Sequence, residues 1–384
     1  MALSKIDVAN MLTGLVPNDN TIRRPNAKPL IINGDMAVAQ RATSVTGVGD
    51  GDTGYNSLDR WRFSEGGDNS TVFTMSQNTD VPTGQGFANS LKMDVTTADA
   101  SPGSSDAMFL QQRFEGQDLQ LLKKGTSSAE KITVSFWVKS SKTGTHILEV
   151  QDSDNTRNCS QSYTVSSADT WEKKVVVFPA DTTGALDDDN ANSFEINWWL
   201  LAGTDFTSGT LATSFASRTN ANRAVGQVNI GDNTSNNFYM TGCQMEIGEF
   251  SSTTLPPFQF ESFGDNLKRC QRYYYKLKND SGSATGAYWG NSIVDSSTTL
   301  KGTIRFPKMR TVPSAFETTG TASDYRVWTS GNTSTVCSSV PTLDQITSFS
   351  GRLLFTVSSG LTAGQVGGYR SSTTDAYLAW SAEL

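Results

Sequence analysis

The chain has 384 residues, a formal net charge of −7 and only 18% charged residues. It is long enough for two domains with real cores, and 33 glycines with 10% aromatics exclude a disordered chain while fitting many short strands joined by turns. No basic run gives it the electrostatic footprint of a nucleic-acid binder, and no run of about 18 apolar residues predicts membrane insertion.

The first 29 residues stand apart from the rest. Leu3, Ile6, Met11, Leu12 and Leu15 line one side of a short helical stretch stopped near Gly14 and Pro17, and a polar, proline-containing linker follows. A segment this short cannot bury its apolar side alone, so it is expected to dock on another protein as an attachment peptide. It lacks the apolar core of a signal peptide.

From Leu30 to Phe263 the pattern is strand and turn. In KITVSFWVKS, Ile132, Val134, Phe136 and Val138 face one way, and Thr133, Ser135, Trp137 and Lys139 the other. WEKKVVVFP, FEINWWLL and NNFYMTGCQMEIG repeat the alternation, with Gly, Asn, Asp and Ser clusters between them. Trp198 and Trp199 are adjacent in a strand, so one is expected in the core and the other on the opposite face. Strands at this spacing without helices predict an antiparallel sandwich or jelly roll.

Residues 264–275 then read as one linking helix, with Leu267, Cys270, Gln271 and Tyr274 at helical spacing. Residues 276–384 are again strand-like, best in TLKGTIRFP, RLLFTV and AYLAWSAEL. The expected fold class is therefore all-β: a jelly-roll domain over 30–263, the helix, and a second, smaller β-sandwich over 276–384. Heptads, Gly-X-Y and solenoid periods are missing, so any oligomer would be held by its β-domains.

Chemistry-bearing motifs are scarce. The one histidine, His146, lies in a strand pattern, and no GxSxG, P-loop or GxGxxG accompanies it. Glu246, Glu249 and Glu261 are the carboxylates a glycosidase would have to recruit, but nothing pairs them. GDGD (49–52), DSDN (152–155) and Asp187-Asp188-Asp189 lack the spacing of a calcium loop. The four cysteines form no CxxC and are expected as free thiols. No catalytic residue, metal or cofactor is expected. Aromatic stacking on sugar C–H faces is the more serious chemistry. Tyr288 and Trp289 beside Gly290 and Asn291, with Trp328, are the candidate ligand contacts.

Seven segments carry a family resemblance: LIINGDMAVAQRATS (30–44), LDRW (58–61), LQQRFEG (110–116), CQMEIGEF (243–250), PPFQFESFGDNLKRCQRYYY (256–275), FPKMRTVPS (306–314) and AYLAWSAEL (376–384). In composition and order they resemble bacteriophage tail-fibre and related virion proteins. The resemblance implies a first domain similar to carbohydrate-binding-module jelly rolls and a structural seam where the sandwich meets a second β-domain. It implies a homotrimeric virion component, made in the bacterial cytoplasm. The N-terminal segment would anchor it to tail tube, adaptor or capsid, and the last domain would contact a host surface glycan. A head decoration or head fibre is the alternative, and a carbohydrate-active enzyme or free binding module the second.

Overall fold

A computed structural model describes residues 28–283, 286–331 and 334–384. The expected anchor residues Leu3, Ile6, Met11, Leu12 and Leu15 lie outside the described residues.

The first unit contains β1 (Ser44–Gly49), β2 (Arg62–Gly66), β3 (Val72–Asn78), β4 (Ser90–Thr97), β5 (Ala107–Glu115), β6 (Ile132–Ser140), β7 (Gly144–Asp152), β8 (Arg157–Val165), β9 (Glu172–Phe178), β10 (Asn192–Ala202), helix α1 (Thr204–Thr207), β11 (Ala216–Ser217) and β12 (Asn237–Ile247). Helix α2 (Phe263–Cys270) follows. The second unit has β13 (Tyr274–Lys278), β14 (Tyr288–Val294), β15 (Thr299–Arg305), β16 (Ala315–Thr318), β17 (Tyr325–Thr329), β18 (Ser334–Val336), β19 (Thr342–Ile346), β20 (Ser350–Thr356), β21 (Val366–Ser371) and β22 (Tyr377–Ser381).

The fold is an antiparallel all-β sandwich of jelly-roll type followed by a smaller β-sandwich. One six-stranded sheet runs β1-β3-β4-β12-β6-β9 and packs on another running β11-β8-β7-β10-β5-β2. Ile132, Val134, Phe136 and Val138 face the core between them, as their alternation demands. Trp198 points into the same core, where its ring meets Trp61 edge-on at 5.3 Å. Trp199 faces the other way, under Phe206, Phe109 and Arg223. In the second unit a three-stranded sheet, β13-β22-β16, covers a seven-stranded one, β18-β17-β21-β14-β15-β20-β19, around Trp380, Phe355 and Tyr369.

The linking helix is shorter than the 264–275 span expected from its apolar spacing. Ser262 caps it by accepting from the Asp265 amide at 3.2 Å, and its last turn ends at Cys270. Tyr274 and Tyr275 are instead captured by β22, opposite Ser381 and Trp380. Strand pairing with a distant segment overrides the local helical pattern.

The segments that carry the family resemblance meet at one seam. Asn33 accepts from Val38 N at 2.9 Å, donates to the Asp59 carbonyl at 2.9 Å, and its own carbonyl accepts from the Trp61 indole at 3.0 Å. Gly34 lies so close to β12 that a Cβ would stand 2.1 Å from the Cys243 carbonyl oxygen, so only glycine fits. Arg272 donates twice to Glu115, at 2.8 and 2.6 Å, and Tyr273 adds a third bond at 2.6 Å. Burial alone would raise the Glu115 carboxyl, but these donors outweigh it and hold it below its usual range. Arg60 pairs with Glu383, donates to the Arg113 carbonyl at 2.6 Å and stacks 3.6 Å over Tyr273. Arg41 reaches the same Glu383 at 3.3 Å and stacks 3.6 Å over Tyr274. Arg310 closes the seam by donating to the Ala382 and Glu383 carbonyls at 3.0 and 3.1 Å.

The Arg60 side chain is 1% exposed and that of Glu383 7%. Glu383→Gln should therefore cost about 3 kcal/mol or more, because it leaves a buried guanidinium without its counter-charge. Urea denaturation checks this, and a midpoint within error of wild type would contradict it.

Candidate functional site

The outer face of the seven-stranded sheet carries the exposed Tyr288 and the half-buried Trp328. Alternation sets it up. Tyr325, Val327 and Thr329 of β17 are buried, so Arg326 and Trp328 point outward. On β21, Tyr369 goes inward, and Val366, Gly368 and Arg370 take the outer face. Register then places Tyr288, Arg370 and Arg326 side by side on β14, β21 and β17. One step along, Trp328 is opposite Gly368, which is opposite Asn291.

Gly368 makes the floor of this face. A Cβ there would come within 2.5 Å of Trp328 Nε1 and 2.6 Å of the Gly290 carbonyl oxygen, so the indole lies across the bare backbone of β21. Tyr288 stands at its edge, ring centroids 6.3 Å apart and nearly perpendicular. Tyr288 is 60% exposed, and the neighbouring Ile293 and Val366 are 61% and 56% exposed. The result is an open aromatic surface with polar groups at its margin, which is the chemistry that stacks on a pyranose ring.

Trp289 is not part of it. A bulge between Tyr288 and Gly290 turns Trp289 to the inner face, where it packs on the second core 6.0 Å from Tyr325. Adjacent strand residues face opposite ways, so the AYWGN run presents one aromatic outward, not two. Sequence reasoning missed Arg326, Arg370, Asn291 and Ser334. A repeat of Tyr-Arg, at 325–326 and 369–370, was the available signal, since each pair sends tyrosine in and arginine out.

The other candidate chemistry resolves into packing. His146 is fully buried on β7, stacked 5.4 Å from Tyr163, and burial pushes it down to about 4, so it stays neutral. Glu261 accepts from Arg269 at 2.5 Å, and Glu249 from Lys131 at 2.5 Å. Asp152 of the DSDN stretch belongs to a buried cage with Asp181 and the Thr183 and Gly184 carbonyls, and the Lys124 ammonium sits at its centre. The cation of that cage is thus supplied by the chain itself. Asp187 to Asp189 form an exposed turn. Among the described residues no group of three His, Cys, Asp or Glu side chains is placed to hold a metal ion. All four cysteines are buried free thiols, and burial pushes the Cys159 and Cys337 thiols up to about 12.

A second exposed cluster lies on the first unit. Phe87, Phe258 and Phe260 meet at 4.9 to 5.1 Å, with Phe260 52% and Phe263 60% exposed.

No protein-family model and no curated protein matches this sequence. Among solved structures, the enzymatically active domain of bacteriophage CBA120 tailspike protein 4 aligns at 17% identity and TM-score 0.27, over 49% of this chain and 19% of its own. A putative sugar binding protein from Bacteroides thetaiotaomicron aligns at 14% identity and TM-score 0.32, over 57% of this chain and 100% of its own. A family 11 carbohydrate-binding module from Clostridium thermocellum, in complex with a mixed-linked tetrasaccharide, aligns at 11% identity and TM-score 0.27, over 55% and 96%. At TM-scores this low the likenesses carry no argument about function.

Two outcomes follow from this placement. Trp289→Ala should cost about 2 kcal/mol of stability, and Trp328→Ala under about 1 kcal/mol, by thermal or urea melts. An equal loss for both would contradict the opposite orientations. His146 binds its proton less well folded than unfolded, so its contribution is present above about 6.5 and lost as pH falls toward about 4. Asp59 acts oppositely, because burial raises its carboxyl to about 6 and stability from it falls as pH rises through that window. The isolating comparison is His146→Leu, which should remove about 2 kcal/mol of the loss between about pH 7 and about pH 5. A variant with the wild-type pH slope would exclude His146 as its source.

Proposed function

We propose that this chain is a bacteriophage virion fibre protein that contacts a host-surface glycan through the outer face of its seven-stranded sheet. The observation that carries the glycan reading is Trp328 laid over Gly368 with Tyr288 at its edge, an aromatic platform left open on a folded sheet. The virion reading rests on the family resemblance. Its motifs are used in packing at the seam, so they serve as a rigid joint that sets the direction of the distal sheet. The N-terminal segment is the anchor, and a short tail fibre is the favoured placement.

The protein works by binding and not by turnover. Its histidine is sealed in the sandwich, and the carboxylates nearest the seam are tied to arginine or tyrosine. Three copies are expected to associate, with the phenylalanine cluster on the first unit among the surfaces they cover.

Trp328→Ala should reduce adsorption of the protein to host cells about tenfold or more while its melting temperature stays near wild type. Unchanged adsorption would sink the platform reading. Cryo-electron microscopy of the particle decides placement: density for three chains at the tail supports a tail fibre, and density on the capsid lattice makes the protein a head fibre or decoration.

A further inference from the structure

The platform has an unbalanced charge at its margin. Arg326 and Arg370 are direct register partners on β17 and β21, on the same outward face. Like charges placed opposite each other across a strand pair are destabilising. Arg370 donates to the Tyr288 hydroxyl at 2.6 Å and to Ser334 Oγ at 2.9 Å. Arg326 donates to the Ser334 carbonyl at 3.4 Å and to its hydroxyl at 3.3 Å. Every one of these partners is neutral. Four acids of this unit are engaged elsewhere: Asp324 accepts from Thr373 at 3.0 Å, Asp295 from Lys301 at 2.9 Å, Glu317 from Tyr274 at 3.0 Å, and Asp344 pairs with Arg352. Among the described residues neither guanidinium has a carboxylate partner, and the Nε of each is buried without any hydrogen bond.

Elsewhere arginines are met in two ways: Arg62, Arg218 and Arg310 donate to neutral oxygens, and others pair with acids. Arg60, Arg157, Arg223, Arg269, Arg272 and Arg352 all meet carboxylates. What marks Arg326 and Arg370, in a chain of net charge −7, is that two arginines without an acid stand in direct register on one outward face. Both flank the aromatic pair: Arg370 lies 5.1 Å over the Tyr288 ring, and Trp328 is two residues from Arg326 on the same face. A ring stacked on Trp328 would carry its substituents toward them.

We propose that the ligand of this face is an acidic glycan, whose anionic oxygens lie between Arg326 and Arg370 while the sugar ring stacks on Trp328 and Tyr288. This rests on the glycan reading above and adds the ligand's charge. Guanidinium forks match carboxylate, sulfate and phosphate oxygens, and an anion there would also relieve the repulsion between the two arginines. Ser334, already bonded to both, holds their separation fixed. The shared chemistry is an anionic substituent on a pyranose, and the source, a uronic acid or an ester such as sulfate, is separated by the probes.

The test uses the full chain with three polymers: neutral dextran, dextran sulfate and the uronic polymer alginate. Binding is measured by calorimetry at low and high salt. At least one charged polymer should bind about tenfold or more tightly than dextran and weaken with salt. Arg326→Gln and Arg370→Gln should each lower that affinity about tenfold to a hundredfold and leave thermal stability equal or higher. Preference for dextran sulfate would assign an ester, and preference for alginate a carboxylate. Dextran binding as well as the charged polymers, or unchanged affinity in both arginine variants, overturns the acidic-glycan assignment. In that case Trp328→Ala still lowering cell adsorption leaves the platform reading standing, whereas no effect removes both. If either arginine variant instead dissociates an oligomer in native mass spectrometry, the face is a contact between copies and the proposal fails.

Discussion

The buried charge at Glu383 is the constraint on which the two-unit arrangement depends. One carboxylate answers two guanidiniums, Arg60 from the first sandwich and Arg41 from the strand-free segment before it. Those guanidiniums also lie on the faces of Tyr273, which precedes β13, and Tyr274, its first residue. Charge pairing, cation–π stacking and the start of the second unit's sheet are thus one physical object. Removing two charges from water is costly unless every remaining donor is met. Here the Arg113 carbonyl takes one further Arg60 donor, while the Arg60 Nε is left buried without a partner, and Arg310 ties the chain on either side of Glu383 through the Ala382 and Glu383 carbonyls. Breaking any one of these contacts would leave a buried charge or donor unmet, so they hold the two units in one arrangement.

The seam draws on residues from all along the chain. The segments singled out in the sequence do not form an exposed face. They contribute Asn33, Gly34, Arg60, Trp61, Glu115, Arg272, Tyr273, Arg310 and Glu383, which meet across sequence separations as long as 323 residues. Arg60 even holds a left-handed backbone at φ 69°, a conformation that costs free energy in a non-glycine residue and persists because the surroundings fix it.

How much of this was legible in the sequence varied by physical cause. Period-two alternation gave β6 and β10 correctly, including that Trp198 and Trp199 take opposite faces, because sidedness in a strand is a local property; which of the two enters the core came only from the structure. The helix end was not legible. Leu267, Cys270, Gln271 and Tyr274 keep a helical period, but β22 takes Tyr274 as a strand residue from a hundred positions away. Trp289 was misread for a related reason: only the bulge in β14 decides which of two adjacent aromatics is outward. The arginines of the platform needed strand register, which no single-segment pattern contains.

Register is also what gives the distal face its chemical character. Taken one at a time, Tyr288, Trp328, Arg326 and Arg370 are ordinary residues of half-exposed strands. Antiparallel pairing of β14, β21 and β17 turns them into a row of tyrosine, arginine and arginine beside an indole on a glycine floor. The glycine matters as much as the aromatics, since any side chain at 368 would lift the indole from the sheet. The seam spends charge to be satisfied internally, and the platform leaves charge unsatisfied on its surface. Paired guanidiniums without an acid between them, in register on an outward sheet face, are the physical mark that separates this face from the joint.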